Sequence, residues 1–347
     1  MSDGHWDPVC VRPDGLQWPF RVGRDSLDPT WRVANGPRYE RVASGFYVPA
    51  QRPVCVEQRI VEAAARLAPD GSTGVVTGWA GLRWRGATYF DGVLPYGVGE
   101  VPVELALGNS GANLTPLAGI SVQRRWLVPS ERTVVDGLPV ATVQRCLFDE
   151  IACRGELWSA VQAIDMAAAA RLISTWLFAT YAGECHARDG APLAREAVSY
   201  AVDESRSPRE PWMRMGWRIL AELPEPCVNE PVYAHDGALI GIPDLFDPVA
   251  GVAGEYNGEI HKGRERHRKD VGREERFRDH GIECFTVVEG DSRAEAACRM
   301  VNARRRAKFL PPESRAWTLQ RPPWSPAPET LDAYFVRMGM VEELTHV

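Results

Sequence analysis

Two acidic residues inside apolar, strand-like runs constrain this chain more than any other feature. Asp244 lies in Gly241-Ile242-Pro243-Asp244-Leu245-Phe246, and Glu255 in Val252-Ala253-Gly254-Glu255-Tyr256-Asn257-Gly258. A carboxylate drawn into an apolar strand loses its hydration, a cost tolerated when the group is paired, protonated or bound to a metal. The two acids are 11 residues apart on what reads as adjacent strands of a hairpin, so they can stand side by side. Neighbouring carboxylates repel, and a divalent cation relieves the repulsion. Mg2+ suits such a place because it takes one or two carboxylates and keeps several waters. A cation held there can polarise a phosphodiester and lower the pKa of an attacking water. Spacing alone leaves a second outlet open, in which each acid caps a strand or pairs with an arginine.

Composition narrows the classes. The chain has 347 residues, 45% hydrophobic and 25% charged, which suits two or three globular domains. Those values exclude a disordered tail protein, a collagen-like repeat and a small disulfide-stapled module. No run reaches the roughly 18–20 apolar residues of a membrane helix; the most apolar stretch, 160–182, is broken by Asp165, Arg171 and Ser174. The first residues show neither a basic start nor an apolar core, so no secretory signal and no membrane partner are expected, and a cytoplasmic location is. A net charge of −6 excludes a uniformly basic coat but leaves room for a local basic face. The cysteines are scattered without C-x-x-C spacing, against a zinc ribbon or thioredoxin-type site. No P-loop, dinucleotide fingerprint or serine elbow appears. Trp79, Trp84, Trp126, Trp158 and Trp176 are expected in the core rather than around a small-molecule pocket.

The chain reads as four stretches. Residues 1–55 predict a short helix, a turn near Asn35-Gly36 and a strand pair ending in Gly45-Phe46-Tyr47-Val48. Residues 56–205 are more apolar: a helix at 56–67, strand-like runs over 75–107, a hairpin at Asp136-Gly137, and helices from Thr142 onward. Asp149 and Asp165 on those helices are expected to be caps or surface residues. Ser205-Arg206-Ser207-Pro208 marks a boundary. Residues 206–310 predict a helix opening at Pro208-Arg209-Glu210, strands over 228–233, 239–246 and 249–256, a charged helix at 263–280, a strand at 282–288 and a helix at 293–309. The stretch 311–347 reads as a proline-rich tail that wraps the surface.

In this order the segment 207–308 resembles the PD-(D/E)XK nuclease core, and more closely the very-short-patch-repair-like endonuclease domain of actinobacterial proteins. The matching pieces are Ser207-Pro208-Arg209-Glu210, Pro243-Asp244-Leu245, Glu255-Tyr256-Asn257-Gly258-Glu259-Ile260-His261 and the helix bearing Asp270-x-x-Arg273-Glu274. The resemblance implies Mg2+ or Mn2+ held by Asp244 and Glu255 with Glu210 beside them, and His261 in proton transfer or phosphate contact. It also implies Lys269 and Arg273 facing phosphate. The pattern of that fold places lysine two residues after the glutamate; here that position is Asn257, and Lys262 is the nearest substitute. Upstream, Arg38-Tyr39-Glu40-Arg41-Val42 with Gly45-Phe46-Tyr47-Val48-Pro49, and the stretch 135–149, resemble abortive-infection (AbiEi-like) type IV antitoxins with a winged-helix domain.

The expected fold class is therefore α+β multi-domain: an N-terminal winged helix, a helical/β middle region and a C-terminal restriction-endonuclease-like core with a mixed sheet. Two functions follow. One is a metal-dependent nuclease that binds DNA, or RNA, through Arg38, Arg41, Lys262, Lys269, Arg273, Arg304 and Arg305; residues 261–308 carry 14 Lys and Arg against 9 Asp and Glu, a basic stretch in an acidic chain. The other is a non-catalytic, antitoxin-like DNA-binding regulator with a cognate toxin protein as partner. Asn257 favours the regulator; the joint presence of Glu210, Asp244 and Glu255 favours the enzyme.

Overall fold

The computed structural model describes residues 6–23, 28–94, 98–110, 112–257 and 264–345, the stretch 264–271 by its backbone alone. The chain divides into two units, Met1–Ser199 with Phe335–Val347, and Tyr200–Tyr334. Both mix helices with sheets, so the protein is α+β.

The first unit opens with β1 (Phe20–Arg21), α1 (Trp31–Ala34), β2 (Tyr39–Ala43) and β3 (Phe46–Pro49), whose strands form an antiparallel sheet in the order β1-β3-β2. Buried Tyr47 anchors it, meeting Trp31 edge-on at 5.8 Å and hydrogen-bonding Asn35 Oδ1 at 3.0 Å. Asn35 in turn donates to the Trp31 carbonyl, which closes α1 after a single turn. There follow α2 (Val56–Ala64), β4 (Val75–Thr77), α3 (Gly78–Trp84), β5 (Val103–Ala106), β6 (Ile120–Gln123), β7 (Arg132–Val135), β8 (Leu138–Ala141), α4 (Val143–Arg154), α5 (Leu157–Ala169), α6 (Thr175–Glu184) and α7 (Ala191–Val198). A mixed five-stranded sheet has the order β6-β5-β4-β8-β7. The β7–β8 hairpin turns at Asp136 (φ 48°) and Gly137 (φ 79°), the left-handed pair that a two-residue type I′ turn needs.

Three expectations fail here. Trp126 and Trp176 are exposed, at 60% and 48%, rather than in the core. The run 75–107 contains a helix, α3, whose Trp79, Leu82 and Trp84 are all buried, so it shows no polar face to read from sequence. Asp149 and Asp165 are fully buried rather than on the surface. Asp149 accepts from Thr77 Oγ1 (2.7 Å), Gln123 Nε2 (3.0 Å) and Arg145 Nε (2.9 Å). Arg145 also reaches Glu131 at 2.8 Å, and Glu131 accepts from Tyr181 and Arg188. This network ties α4, β4, β6 and the loop before β7 together beneath the sheet.

In the second unit, α8 (Arg209–Met215) runs into a π-helical turn at Gly216–Leu220. Next come β9 (Cys227–Val228), β10 (Val232–Ala234), β11 (Leu239–Gly241), β12 (Leu245–Asp247), β13 (Val252–Asn257), α9 (Arg264–Asp279), β14 (Glu283–Val288), α10 (Arg293–Arg306) and β15 (Trp317–Thr318). A four-stranded sheet has the order β14-β13-β12-β9; β13 and β14 are parallel, joined across α9, and the other pairs are antiparallel. One face packs Leu245, Val252, Phe285 and Val287 against Met213, Trp217, Ala296 and Met300. The other packs Phe246 and Ala253 against Phe277 of α9, Ile282 and Trp317. Gly254 is set by close approach: a Cβ there would stand 2.1 Å from the Phe285 ring, which stacks on Trp217 at 5.8 Å. The expected strands 228–233 and 239–246 are each broken, at 229–231 and 242–244, and both breaks lead into the site described below.

The expected tail is divided between the units. β15 adds to the β11-β10 sheet of the second. α11 (Leu331–Arg337) leads back to the first, where α12 (Val341–Thr345) packs on α6 with Leu344 buried. No helix among the described residues is long and apolar enough to cross a membrane.

Removing one member of a buried, hydrogen-bonded ion network strands the others, at a cost of about 3–5 kcal/mol. Arg145→Met should therefore lower the stability of the first unit by that amount in the full chain. Amide exchange should speed up in α4 while α10, in the second unit, keeps its protection.

Candidate active site

The chemistry gathers at one end of the four-stranded sheet. Pro208 starts α8, which places Glu210 in the first turn, where an acid complements the helix dipole. Its carboxylate is buried and accepts from Asn229 Nδ2 at 2.6 Å and from the Arg206 amide at 2.9 Å. Asn229 stands in the break between β9 and β10 with φ 50°, a left-handed conformation that Asn tolerates better than most residues. Besides holding Glu210, it donates its own amide to the Asp244 carbonyl at 3.3 Å. Asp244 immediately precedes β12, and its Oδ2 accepts the Tyr256 amide at 2.8 Å. The β12–β13 register pairs Leu245 with Gly254, so Asp244 and Glu255 lie at the same end of the hairpin.

Electrostatically Asp244 bears on Glu210. Burial first, and then the Asp244 charge, push the Glu210 carboxyl up to about 7. Glu255 is held differently: Arg273 of α9 donates from Nη2 to its Oε2 at 2.8 Å, and its Nε stands 2.7 Å from Oε1 as an ion pair without hydrogen-bond geometry. Asn257 ends β13 two residues on, and its buried Oδ1 has no hydrogen-bond partner among the described residues. Near the start of α8, Arg209 lies over the Tyr256 ring at 5.8 Å and within 3.6 Å of Glu289.

Among the described residues no three His, Cys, Asp or Glu side chains stand close enough together to hold a metal. The donor chemistry that is present is a pair of oxygen ligands, Glu210 and Asp244, with mutual repulsion to relieve. That pair fits a hard divalent cation that keeps most of its waters. The expected ligand pair was Asp244 with Glu255; Glu255 lies at the same end of the hairpin as Asp244 but is engaged by Arg273.

The remaining predicted residues are dispersed. His261 and Lys262 lie outside the described residues, as does the side chain of Lys269 within α9. Arg38 and Arg41 are exposed at the edge strand β2 and form no ion pair among the described residues. The basic stretch near the end of α10 is largely paired internally: Arg304 with Asp247 at 2.8 Å, Arg306 with Glu283 at 2.6 Å, and Arg299 with Asp291 at 3.1 Å. Arg305 and Lys308 are left with no ion pair among the described residues. Sequence reasoning missed Asn229; its only signal was a polar, turn-forming residue just ahead of Pro231 inside an otherwise strand-like run.

Comparison of the chain with protein-family models, with curated proteins and with solved structures finds no match in any of the three.

A carboxyl raised in the folded state keeps its proton while the unfolded chain ionises. Stability contributed by Glu210 therefore falls as pH rises from about 4.5 to about 7 and stays low above that. The magnitude is on the order of 1–3 kcal/mol. Glu210→Gln keeps the acceptor for Asn229 without the charge. It should raise the unfolding midpoint of the second unit at pH 8 and leave it unchanged at pH 4, as read by thermal unfolding at the two pH values.

Proposed function

We propose that the second unit is a metal-dependent phosphodiester hydrolase with a restriction-endonuclease-like core, acting on DNA that the first unit helps to bind. The observation that carries this reading is Glu210, buried and held by Asn229 and the Arg206 amide, with its carboxyl raised by burial and then by the Asp244 charge, a pair that a divalent cation would stabilise. Mg2+ or Mn2+ would be held by Glu210 and Asp244, with Glu255 next to them. Once bound, the cation supplies charge to polarise a phosphate oxygen and to lower the pKa of an attacking water.

The chain's own residues prepare that place. The Tyr256 amide fixes one oxygen of Asp244, and Asn229 fixes one oxygen of Glu210, so both carboxylates are oriented before any cation arrives. Near neutral pH Glu210 holds a proton part of the time and gives it up when positive charge comes close. Burial of Met213, Trp217 and Phe285 beneath the site keeps it rigid. In the first unit Arg38, just before β2, and Arg41 on it are exposed and have no carboxylate partner among the described residues, which suits contact with backbone phosphate. Such contacts weaken steeply with salt.

The second reading, a DNA-binding regulator without catalysis, is favoured by Asn257, which carries no charge, and by the engagement of Glu255 with Arg273. Cleavage separates the two. Purified protein with Mg2+ or Mn2+ should nick supercoiled plasmid, with Asp244→Ala and Glu255→Ala each lowering the rate by about 100-fold or more. Single-stranded DNA and RNA in parallel define the substrate. If wild type and both variants are equally inert yet all retard DNA on a gel, the regulator reading stands.

A further inference from the structure

We propose that Arg273 has two alternative partners: it masks Glu255 in the cation-free protein, and it supplies the positive charge at the scissile phosphate when a cation and DNA are bound. This inference rests on the nuclease reading above and assigns the cation that Asn257 does not provide.

Placement comes first. Side chains alternate along β13, and Ala253 packs on the α9 side, so Glu255 and Asn257 also face α9. α9 is anchored there by Phe277, almost fully buried and seated against Gly241, where a Cβ would stand 2.6 Å from the ring. Arg273 precedes Phe277 by four residues and so lies on the same helix face, one turn earlier. The packing of one aromatic ring thus holds the guanidinium over the end of β13.

Chemistry comes second. The guanidinium fork fits a carboxylate and a phosphate with the same paired geometry. Its hydrogen bond and ion pair with Glu255 therefore show the charge and kind of partner it can accept in exchange. Both side chains are partly exposed, 34% for Arg273 and 24% for Glu255, although Arg273 Nε and Glu255 Oε1 themselves are buried. Beside it the buried Asn257 Oδ1 has no hydrogen-bond partner among the described residues.

Two other described cations near the site are committed elsewhere. Arg209 lies over Tyr256, which points to the opposite face of β13 from Glu255. Arg276 donates to the Ile240 carbonyl at 3.0 Å and to the Gly272 carbonyl at 3.1 Å. Phosphoryl transfer builds negative charge on the phosphate oxygens, and a fixed donor there acts mainly on the transition state. A cation at Glu210 and Asp244 draws Glu255 across the hairpin, and the arriving phosphate takes its place on Arg273.

The test uses the full chain and two readouts: Mn2+ binding, from the paramagnetic resonance signal of free Mn2+, and plasmid cleavage. Arg273→Gln should bind Mn2+ about fivefold more tightly, because Glu255 is released from an ion pair of about 1 kcal/mol. The same variant should cleave about 10²–10³-fold more slowly, the loss expected for one transition-state donor. Arg273→Lys keeps the charge without the fork and should fall between wild type and Arg273→Gln on both readouts, which keeps the test decisive if the glutamine variant does not fold. A merely structural arginine would lower metal binding and cleavage together, and that result overturns the proposal. So does wild-type behaviour of both variants in a protein whose Mn2+ binding depends on Asp244. If the wild type itself binds no Mn2+, the metal-site reading beneath the inference has failed instead.

Discussion

The second unit is organised around a carboxyl group kept out of water beside another carboxylate. Glu210 is buried at the start of α8, and burial together with the Asp244 charge holds its proton to about pH 7. Local irregularities near it follow from that arrangement. Asn229 takes a left-handed backbone, ending β9, so that its amide group reaches Glu210. The strand after β11 breaks at Pro243-Asp244, which leaves the Asp244 carboxylate to accept an amide from β13. A protein that used this region only as a scaffold would be more stable with apolar residues in those places.

The first unit offers an informative contrast. It too buries carboxylates, but they are compensated. Glu131 and Asp149 share Arg145, and Arg188 and Tyr181 complete the shell. Glu104 is also raised to about 7, by burial and then by Asp149, yet Arg125 and Arg145 stand among the groups that pull it back down. For Glu210 the groups that pull down are hydrogen-bond donors, Arg206 through its backbone, Asn229 and Ser207, rather than a guanidinium. The same distinction applies to the surface. The basic end of α10 looks like a nucleic-acid patch by composition, but most of its arginines are paired with acids of their own unit, while Arg38 and Arg41 form no ion pair among the described residues.

Much of this was legible in the residues. Asp136-Gly137 marked a hairpin through its turn chemistry, and acids within apolar strand-like runs marked Asp244 and Glu255 as residues of note. Pro208 ahead of Glu210 marked a helix start. What could not be read depends on contacts between distant segments. Arg145 and Asp149, four residues apart on a helix, look like an exposed i,i+4 pair until the sheet is laid over them. Arg304 meets an acid 57 residues earlier in the chain, so counting charge along the sequence cannot show that it is neutralised. α3 hid because both of its sides are buried. Asn229 hid because its role exists only once α8 lies above the strand end.

The central claim is that Glu210 and Asp244 form a cation site holding a proton in the cation's absence. Calorimetric titration of the full chain with Mn2+ near pH 6.5, repeated in buffers of different ionisation enthalpy, measures that proton directly. The account predicts binding that releases a substantial fraction of one proton per cation, with the release lost in Glu210→Gln and the binding lost in Asp244→Asn. Binding without proton release, or binding indifferent to both substitutions, would contradict it.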